Sequence, residues 1–203
     1  MIVTITSLLT YLSVAVTTIV VNVVPALAPP TWLVLALYKI NHPYLDILGL
    51  AIFGVIGSVV GRYLMYKYSQ FFGKYVPKKE VDNLRYFRKF VGETDPRVFI
   101  ETFLFSLSPL PSNFLFISFG LSSINITPVL FGFALGRLLS YTFLIDASFR
   151  SFAYLSASFG GTEVRIAADV LGLLFAIAII FIRWKKVYIS AHGWKLRLKK
   201  LFA

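Results

Sequence analysis

The stretch Ser106-Leu107-Ser108-Pro109-Leu110-Pro111-Ser112-Asn113 decides how the chain is organised. It lies in the middle of an apolar run, residues 98–124, whose only ionisable residue is Glu101. At about 1.5 Å per helical residue, this run is long enough to cross a bilayer. Its two central prolines remove hydrogen-bond donors and clash with the preceding helical turn. The run therefore predicts either a kinked spanning helix or a hairpin that returns to the same side, which requires protein or a wet cavity around it.

The composition predicts an integral membrane protein. Of 203 residues, 58% are apolar and 14% are charged, and the mean hydropathy is +0.78; soluble domains carry about 25% charged residues. We expect one membrane domain over residues 1–203. The absence of cysteine excludes disulfides, thiolate catalysis and cysteine-ligated metals. Because His42 and His192 are far apart and no nucleophile is paired with a base, we expect neither an enzyme nor a cofactor or metal site.

The basic residues flank the apolar runs. The net charge of +11 therefore favours membrane surfaces over nucleic acid as the partner. Residues 67–97 hold eight Lys or Arg against four acids, and predict a basic amphipathic helix on anionic headgroups or a solvated linker helix. The basic and aromatic tail, residues 185–203, predicts an interfacial anchor. By the positive-inside tendency, we expect both regions in the cytoplasm of a multi-pass plasma-membrane protein.

The other apolar runs predict an all-α protein with three or four spanning helices. Residues 43–66, 126–149 and 166–184 are each long enough to span, and residues 151–165 predict a polar connection before the last span. Residues 2–24 either span fully or form the first limb of a hairpin, which leaves the side of the N-terminus open. If the proline-broken run crossed the membrane, the two basic regions would lie on opposite sides. A hairpin keeps them together, so we expect the hairpin.

The chain contains an internal repeat. The pattern G-x-x-x-G-R-x-L-x-Y occurs at residues 57–66 and again at residues 132–141. A proline-broken element precedes each copy, and the first is Pro25-Ala26-Leu27-Ala28-Pro29-Pro30. With the expected topology, the two copies cross the membrane in opposite directions. We therefore expect inverted repeats, residues 1–66 and 98–149, each with a re-entrant hairpin before its spanning helix, as in many secondary transporters.

Each copy of the pattern places an arginine in a membrane helix. Inserting an arginine at the centre of such a helix costs about 2.5–3.5 kcal/mol, so the residue usually faces a cavity or a partner. Arg137 lies about eleven residues inside its run, and we predict a functional role for it. Arg62 lies close to Lys67, and either acts with Arg137 or extends to the cytoplasmic interface.

Short polar groups and acids complete the candidate site. The polar groups at the proline tip are Ser106, Ser108, Ser112 and Asn113. They either satisfy freed backbone groups or bind a phosphate headgroup. The acids that are candidates for proton or ion coupling are Asp46, Glu101 and Asp146. Arg97 lies four residues from Glu101, and Arg150 lies four residues from Asp146, so these two acids also fit simple ion pairs.

From Ser108 to Asn113, with Gly120 and the Gly136-Arg137 step beyond, the chain resembles the DedA/VTT-domain superfamily of SNARE-associated Golgi-like membrane proteins. The resemblance covers roughly residues 20–150. It implies two opposed re-entrant hairpins and movement of lipids across the bilayer. In bacterial relatives the implied substrates are polyisoprenyl-phosphate carriers, with proton or sodium coupling, and in eukaryotic relatives the implied activity is phospholipid scrambling.

The chain departs from the family pattern at two places. Many bacterial members have a carboxylate just after the first proline tip, where this chain has Thr31-Trp32. Many also have an arginine beside the second tip, where this chain has Ser106 and Ser108. The first difference weakens the expectation of proton coupling unless one of the three acids substitutes. The second leaves Arg62 and Arg137 as the candidate phosphate-binding charges.

The leading hypothesis is a flippase or scramblase for a phosphate-bearing lipid, with membrane lipids as its partners. The expected substrate-binding residues are Arg62, Arg137, Pro29, Pro30, Pro109, Pro111, Ser108, Ser112 and Asn113. One alternative is an ion-coupled exporter of small solutes or cations, in which the acids matter more than the arginines. Another is a non-transporting assembly factor whose basic tail recruits partners. The lipid, the coupling ion and a homo-oligomeric state stay open.

Overall fold

The computed structural model describes residues 5–24, 29–75, 96–108, 112–122 and 125–159, together with 162–163, 166–167 and 170. This part of the chain forms six α-helices and one 3₁₀ turn. The helices are α1 (Ile5–Val23), α2 (Thr31–Asn41), α3 (Ile47–Phe72), α4 (Pro96–Leu107), α5 (Asn113–Leu121) and α6 (Thr127–Phe159), and the 3₁₀ turn is Gly73–Tyr75. The described residues contain no strand, so the all-α prediction is confirmed for them.

Three of the helices are long and apolar enough to cross a membrane. They are Ile5–Val23, Ile47–Phe72 and Thr127–Ser158. Large apolar side chains such as Leu9 and Phe143 are more than half exposed on them, as expected of helices that face lipid. The described part of the chain therefore has three candidate spanning helices. The predicted fourth span at 166–184 and the tail at 185–203 lie outside the described residues, apart from a few isolated positions.

The helix α3 is shifted relative to the predicted span at 43–66. It begins at Ile47 because the Asp46 side chain accepts a hydrogen bond from the backbone N–H of Gly49 at 2.8 Å, which satisfies one of the free donors of a helix N-terminus. It continues to Phe72 because no proline interrupts the chain after Ile47 and its glycines lie in the first sixteen residues. The predicted basic amphipathic helix after it lies outside the described residues.

The helix α6 is longer than the predicted span at 126–149. The expectation of a polar connection over residues 151–165 is wrong for residues 151–159, which continue the helix. The segment contains polar residues but no glycine or proline before Gly160. An ion pair one helical turn apart, Arg150 to Asp146 at 2.8 Å, also supports the helical conformation there.

The proline-broken run at 98–124 contains two helices, α4 and α5. The helix α4 ends at Leu107 and α5 begins at Asn113, while Pro109 and Pro111 between them lie outside the described residues. The two helices pack against different partners: α4 lies along α6, and α5 lies against α3. The predicted break is thus confirmed, because the run forms two separate helices instead of one continuous helix.

The first three helices mirror this packing. The helix α1 lies along α3, just as α4 lies along α6. The short helix α2 packs mainly on α6, just as the short helix α5 packs on α3. The long helices α3 and α6 also contact each other. Each short helix therefore lies mostly against the long helix of the other half of the chain.

Glycines let the paired helices approach closely at corresponding positions. A Cβ atom added at Gly61 would lie 2.7 Å from both the Asn22 Cβ and the Ile19 carbonyl oxygen on α1. A Cβ atom added at Gly136 would lie 2.6 Å from the Phe103 carbonyl oxygen on α4. Both glycines thus face the backbone of the preceding helix, as small residues do where membrane helices cross closely.

Two buried apolar clusters join the halves. One consists of Met65, Tyr66, Val98, Phe116, Phe119, Ile126, Val129 and Phe133. The other consists of Tyr11, Val14, Leu35, Leu45, Leu50, Ala51, Tyr141 and Ile145. Because each cluster draws side chains from both halves, the two halves share one interior.

Candidate functional site

Arg62 is buried in this interior, with 7% of its surface exposed. Its Nη1 donates to the backbone carbonyl of Asn22 at 3.4 Å, and its Cζ lies 5.8 Å from the centre of the Phe116 ring, within the range of a cation–π contact. Its Nε has no hydrogen-bond partner among the described residues, and no described carboxylate pairs with it. The side chain therefore does not extend to an exposed interface, which was one of its two predicted roles.

Arg137 occupies the corresponding position on α6, with 5% of its surface exposed. Its Nη1 donates to the backbone carbonyl of Ser108 at 3.0 Å. Its Cζ lies 5.5 Å from the centre of the Phe133 ring and 5.7 Å from that of Tyr141. Like Arg62, it contacts a carbonyl at the C-terminal end of the first helix of its half. Helix C-termini carry free carbonyls and partial negative charge, so these contacts stabilise both cations.

An aromatic pair connects the two arginine positions. The rings of Phe116 and Phe133 pack edge to face, with centres 5.0 Å apart, and each ring lies beside one guanidinium group. Arg62 and Arg137 are thus two like charges, each beside one ring of the same aromatic pair. Buried cations without a paired carboxylate favour the binding of an anion beside them.

Two buried serine hydroxyls belong to the same region. Ser106 is fully buried and Ser112 is 1% exposed, and neither Oγ has a hydrogen-bond partner among the described residues. Ser106 lies against Gly136, next to Arg137 in the chain. Ser112 precedes the first turn of α5 without capping it through its side chain, so its hydroxyl lies near the positive end of that helix. Both hydroxyls can donate to an anion.

A buried hydrogen-bond network extends from this region to four helices. The Nδ2 of Asn22 donates to the hydroxyl of Thr31 at 3.0 Å and to that of Ser58 at 3.2 Å. The Ser58 hydroxyl in turn lies 3.1 Å from the Tyr141 hydroxyl. This network was not predicted from the sequence. The available signal was Asn22 itself, which is the only asparagine in the apolar run at 2–24.

The other predicted tip residues have more local contacts. Pro29 and Pro30 are half-buried at the start of α2, where the Pro30 carbonyl accepts a hydrogen bond from the Leu33 N–H. The Ser108 hydroxyl donates to the Phe105 carbonyl at 2.7 Å, so only its backbone carbonyl serves Arg137. Asn113 is half-buried and is the first residue of α5. The positions of Pro109 and Pro111 lie outside the described residues.

Two of the three predicted coupling acids lie away from the arginines along their helices, and the third is exposed. Asp46 is exposed, and at 1.5 Å per residue it is about 24 Å from Arg62 along α3. Asp146 is about 13 Å from Arg137 along α6 by the same measure, and it forms the predicted ion pair with Arg150. Glu101 is exposed on α4. The structure thus places Ser106 and Ser108 beside the Arg137 position, and it places Asp46 and Asp146 away from the arginines.

Comparison with known proteins adds no assignment to this geometry. No protein-family model matches the chain, and neither a curated protein nor a solved structure gives a match. Within the described ranges, no group of three or more acidic or histidine side chains could hold a metal ion. Function must therefore be inferred from the site itself.

Proposed function

We propose that the protein moves a phosphate-bearing lipid, either a polyisoprenyl phosphate or a phospholipid, between the leaflets of a membrane. The observation that carries the proposal is the burial of Arg62 and Arg137 beside one aromatic pair inside a helical membrane protein. A buried cation in a membrane is costly unless it meets an anion. Phosphate, like carboxylate, is an anion that guanidinium forks bind in bidentate fashion, and in a membrane the abundant phosphates are lipid headgroups.

The surrounding groups suit a headgroup that passes through. The Nε of Arg62 and the hydroxyls of Ser106 and Ser112 have no partner among the described residues and can donate to phosphate oxygens. The N-terminus of α5 adds free backbone N–H groups and partial positive charge. The apolar tails of the lipid would remain in the bilayer along the exposed apolar faces of the long helices, so only the head needs a polar path.

We further propose that the two halves are inverted repeats, with α1–α2 and α4–α5 as re-entrant hairpins. Gly61 and Gly136 make equivalent contacts, each with the first helix of its own half, and so do Arg62 and Arg137. This equivalence supports the arrangement, as does the packing of each short helix on the other half. It also agrees with the resemblance of the sequence to the DedA/VTT superfamily. In this arrangement the basic segment at 67–97 and the C-terminus would be cytoplasmic, in the plasma membrane.

The exporter of cations is the weaker candidate. A cation site requires acidic or carbonyl ligands, whereas the polar groups gathered here include two arginines that repel cations. Coupling to protons or sodium through one of the acids stays a prediction. Asp46 and Glu101 are exposed and Asp146 is paired with Arg150, and neither observation supports coupling. Nothing in the described residues favours the assembly-factor alternative.

Reconstitution into liposomes tests the proposed function. Vesicles would carry fluorescent phospholipid or polyisoprenyl phosphate in both leaflets, and leaflet exchange would be followed by dithionite quenching or an enzymatic probe. Arg62→Gln and Arg137→Gln each remove a charged hydrogen-bond donor, which is worth about 1.5–3 kcal/mol, so we expect exchange to slow about 10-fold to 100-fold. Arg150→Gln is the matched control, because its side chain is 77% exposed.

The outcomes of this experiment separate the possibilities. Exchange by the wild-type protein above the rate of empty vesicles, lost in the double arginine variant and retained in the control, supports lipid translocation. Exchange that persists in a folded double variant overturns the role of the arginines. A wild-type rate equal to that of empty vesicles for every lipid overturns the proposed function. Dependence of the rate on a pH gradient would distinguish a coupled flippase from a scramblase.

A further inference from the structure

The boundary between α1 and α2 differs from the other helix contacts near the site. The helix α1 packs closely along α3 but contacts α2 much less. We call this boundary the α1–α2 seam. Polar side chains line it, and they are Thr10, Ser13 and Thr17 on α1, Tyr38 on α2, and His42 and Tyr44 after α2. All six are exposed or half-buried.

Hydrogen-bonding groups cross the seam in successive steps along α1. The Tyr44 hydroxyl lies 3.5 Å from the Thr10 hydroxyl and 3.3 Å from the Nδ1 of His42. Further along, the Tyr38 hydroxyl lies 3.5 Å from the Ser13 hydroxyl and 3.0 Å from that of Thr17. The spacing of 10, 13 and 17 places the three α1 hydroxyls on one face of the helix. The seam therefore presents a row of hydroxyl groups at its accessible edge.

The inner end of the seam leads to the arginine site. Asn22 on α1 donates across the same boundary to Thr31 on α2 at 3.0 Å. Both residues are buried, and the backbone carbonyl of Asn22 accepts the hydrogen bond from Arg62. Exposure thus falls along the seam from Tyr44, which is 56% exposed, to Asn22, which is 1% exposed. The row of polar groups runs from the surface to the buried charge.

The outer bonds of this row are weak and can be exchanged. A separation of 3.5 Å is at the limit of a hydrogen bond. The Thr10 and Ser13 hydroxyls donate instead to backbone carbonyls of their own helix, at 2.9 and 2.7 Å, the usual way in which such residues are satisfied in membrane helices. The Tyr44 hydroxyl is therefore held only loosely to α1, whereas the Tyr38 hydroxyl keeps its 3.0 Å contact with Thr17. A stronger acceptor such as a phosphate oxygen can replace the weak contacts.

We propose that the α1–α2 seam is the lateral path by which the phosphate-bearing head of a membrane lipid travels between the α2–α3 turn and the buried arginines. This inference rests on the proposed function. The hydroxyls of Tyr44 and Tyr38 and the ring of His42 donate in turn to the phosphate. The neighbouring outer face of α1, which includes exposed Leu12 and Val16, keeps the tails of the same lipid in the bilayer.

A quenching experiment tests the path without relying on transport. The chain has no cysteine, so Ser13→Cys and, as a matched control, Leu12→Cys each introduce one site for a fluorophore on α1. The two positions differ in depth by about 1.5 Å, but Leu12 lies on the apolar outer face. Each labelled protein would be placed in phosphatidylcholine vesicles that contain a lipid with a nitroxide on either its headgroup or its acyl chain.

The path predicts opposite preferences at the two positions. The headgroup nitroxide should quench the label at Ser13 several-fold more than the label at Leu12, and the acyl-chain nitroxide should quench the label at Leu12 more. Equal quenching of both labels by the headgroup nitroxide overturns the path. If the two labels show these opposite preferences but vesicles with the wild-type protein exchange no lipid, the seam binds headgroups and the proposed function fails. If exchange occurs and quenching is equal, only the seam is wrong.

A second variant tests the same path by function. Tyr38→Phe together with Thr17→Val removes two seam hydroxyls that are partners at 3.0 Å, and replacing both partners by apolar groups of the same shape has little effect on stability. We expect exchange to slow several-fold, with the fold shown by circular dichroism to be unchanged. If this double variant exchanges lipid at the wild-type rate while Arg137→Gln is slowed, the path is contradicted. The proposed role of the arginines would then still stand.

Discussion

Phe116 and Phe133 pack edge to face, with ring centres 5.0 Å apart, and each lies beside a different buried arginine. Both rings belong to the second half of the chain, one on α5 and the other on α6, and the contact of Phe116 with Arg62 joins the first half to them at the candidate site. The rings have a negative face that attracts a cation. The pair therefore stabilises the positions of Arg62 and Arg137.

Replacing Phe116 should weaken both the fold and the site. Phe116→Leu removes the ring beside Arg62 at a fully buried position, and we expect the free energy of unfolding to fall by about 1–2 kcal/mol from lost packing and cation–π attraction. Denaturant unfolding in detergent micelles would measure the loss. Phe131→Leu is the control, because that side chain is 64% exposed; an equal effect of both changes would contradict the assigned role of Phe116.

The helix crossings should not accept a methyl group. A Cβ at Gly61 or Gly136 would lie 2.6–2.7 Å from backbone oxygens of the neighbouring helix, so the helices must separate. We expect Gly61→Ala and Gly136→Ala each to lower stability by about 1–3 kcal/mol. Gly73→Ala serves as the control, since its nearest neighbour would be 3.7 Å away. Wild-type melting temperatures for the first two variants would show that the contacts are looser than described.

The hydrogen bond between Ser58 and Tyr141 joins the halves. Tyr141→Phe removes it, and hydrogen bonds between membrane helices contribute about 0.6 kcal/mol on average and up to about 1.7 kcal/mol. We expect a loss in this range for Tyr141→Phe and no change for Tyr154→Phe, whose side chain is 75% exposed on the same helix. Thermal unfolding of the two variants in parallel measures the difference. Identical unfolding curves would show that the Ser58–Tyr141 hydrogen bond does not contribute to stability.

Lys39 should be important for the turn between α2 and α3. Its Nζ donates to the carbonyls of Pro43 at 2.7 Å and Leu45 at 2.6 Å, and lies 4.7 Å from the centre of the Phe149 ring. Lys39→Met keeps the apolar stem but leaves both carbonyls unsatisfied, so we expect a loss of about 1.5–3 kcal/mol. Lys67→Met, at an exposed position, should cost much less. A Lys39→Met variant with the same free energy of unfolding as the wild type would disprove this role.

Two substitutions at Asp46 separate helix capping from ion coupling. Asp46→Ala removes the acceptor for the Gly49 N–H and should cost about 1 kcal/mol, whereas Asp46→Asn keeps the cap at little cost. If Asp46 only caps α3, lipid exchange and its pH dependence should be unchanged in the Asn variant. Loss of exchange in Asp46→Asn, with the stability of the wild type, would instead make Asp46 a coupling residue.

Local sequence features were sufficient to predict the helices. Apolar length predicted the candidate spans, and the proline-rich stretch predicted the break between α4 and α5. The helix α6 extended beyond its predicted end because residues 151–159 contain no helix breaker. Hydropathy reports where a helix leaves the membrane, and it carries no information on where the helix itself ends.

The partners of the short helices could not be read from the sequence. The helices α2 and α5 are apolar on most of their surface, so no face of them points to a particular neighbour. For the same reason, the contact of Phe116 with Arg62 was not predicted. The arginines were identified because a charge in an apolar run is rare, and Asn22 was overlooked because a single amide in such a run costs less.

The packing of α2 on α6 and of α5 on α3 has a consequence for biosynthesis. When the first three helices have entered the membrane, the helix against which α2 packs has not yet been translated. Until α6 arrives, the buried side of α2 is uncovered, and Ser58 lacks the tyrosine that lies 3.1 Å away in the finished protein. The packing of the first half is thus completed only after α6 has been translated, so the first three helices alone cannot reach their final arrangement.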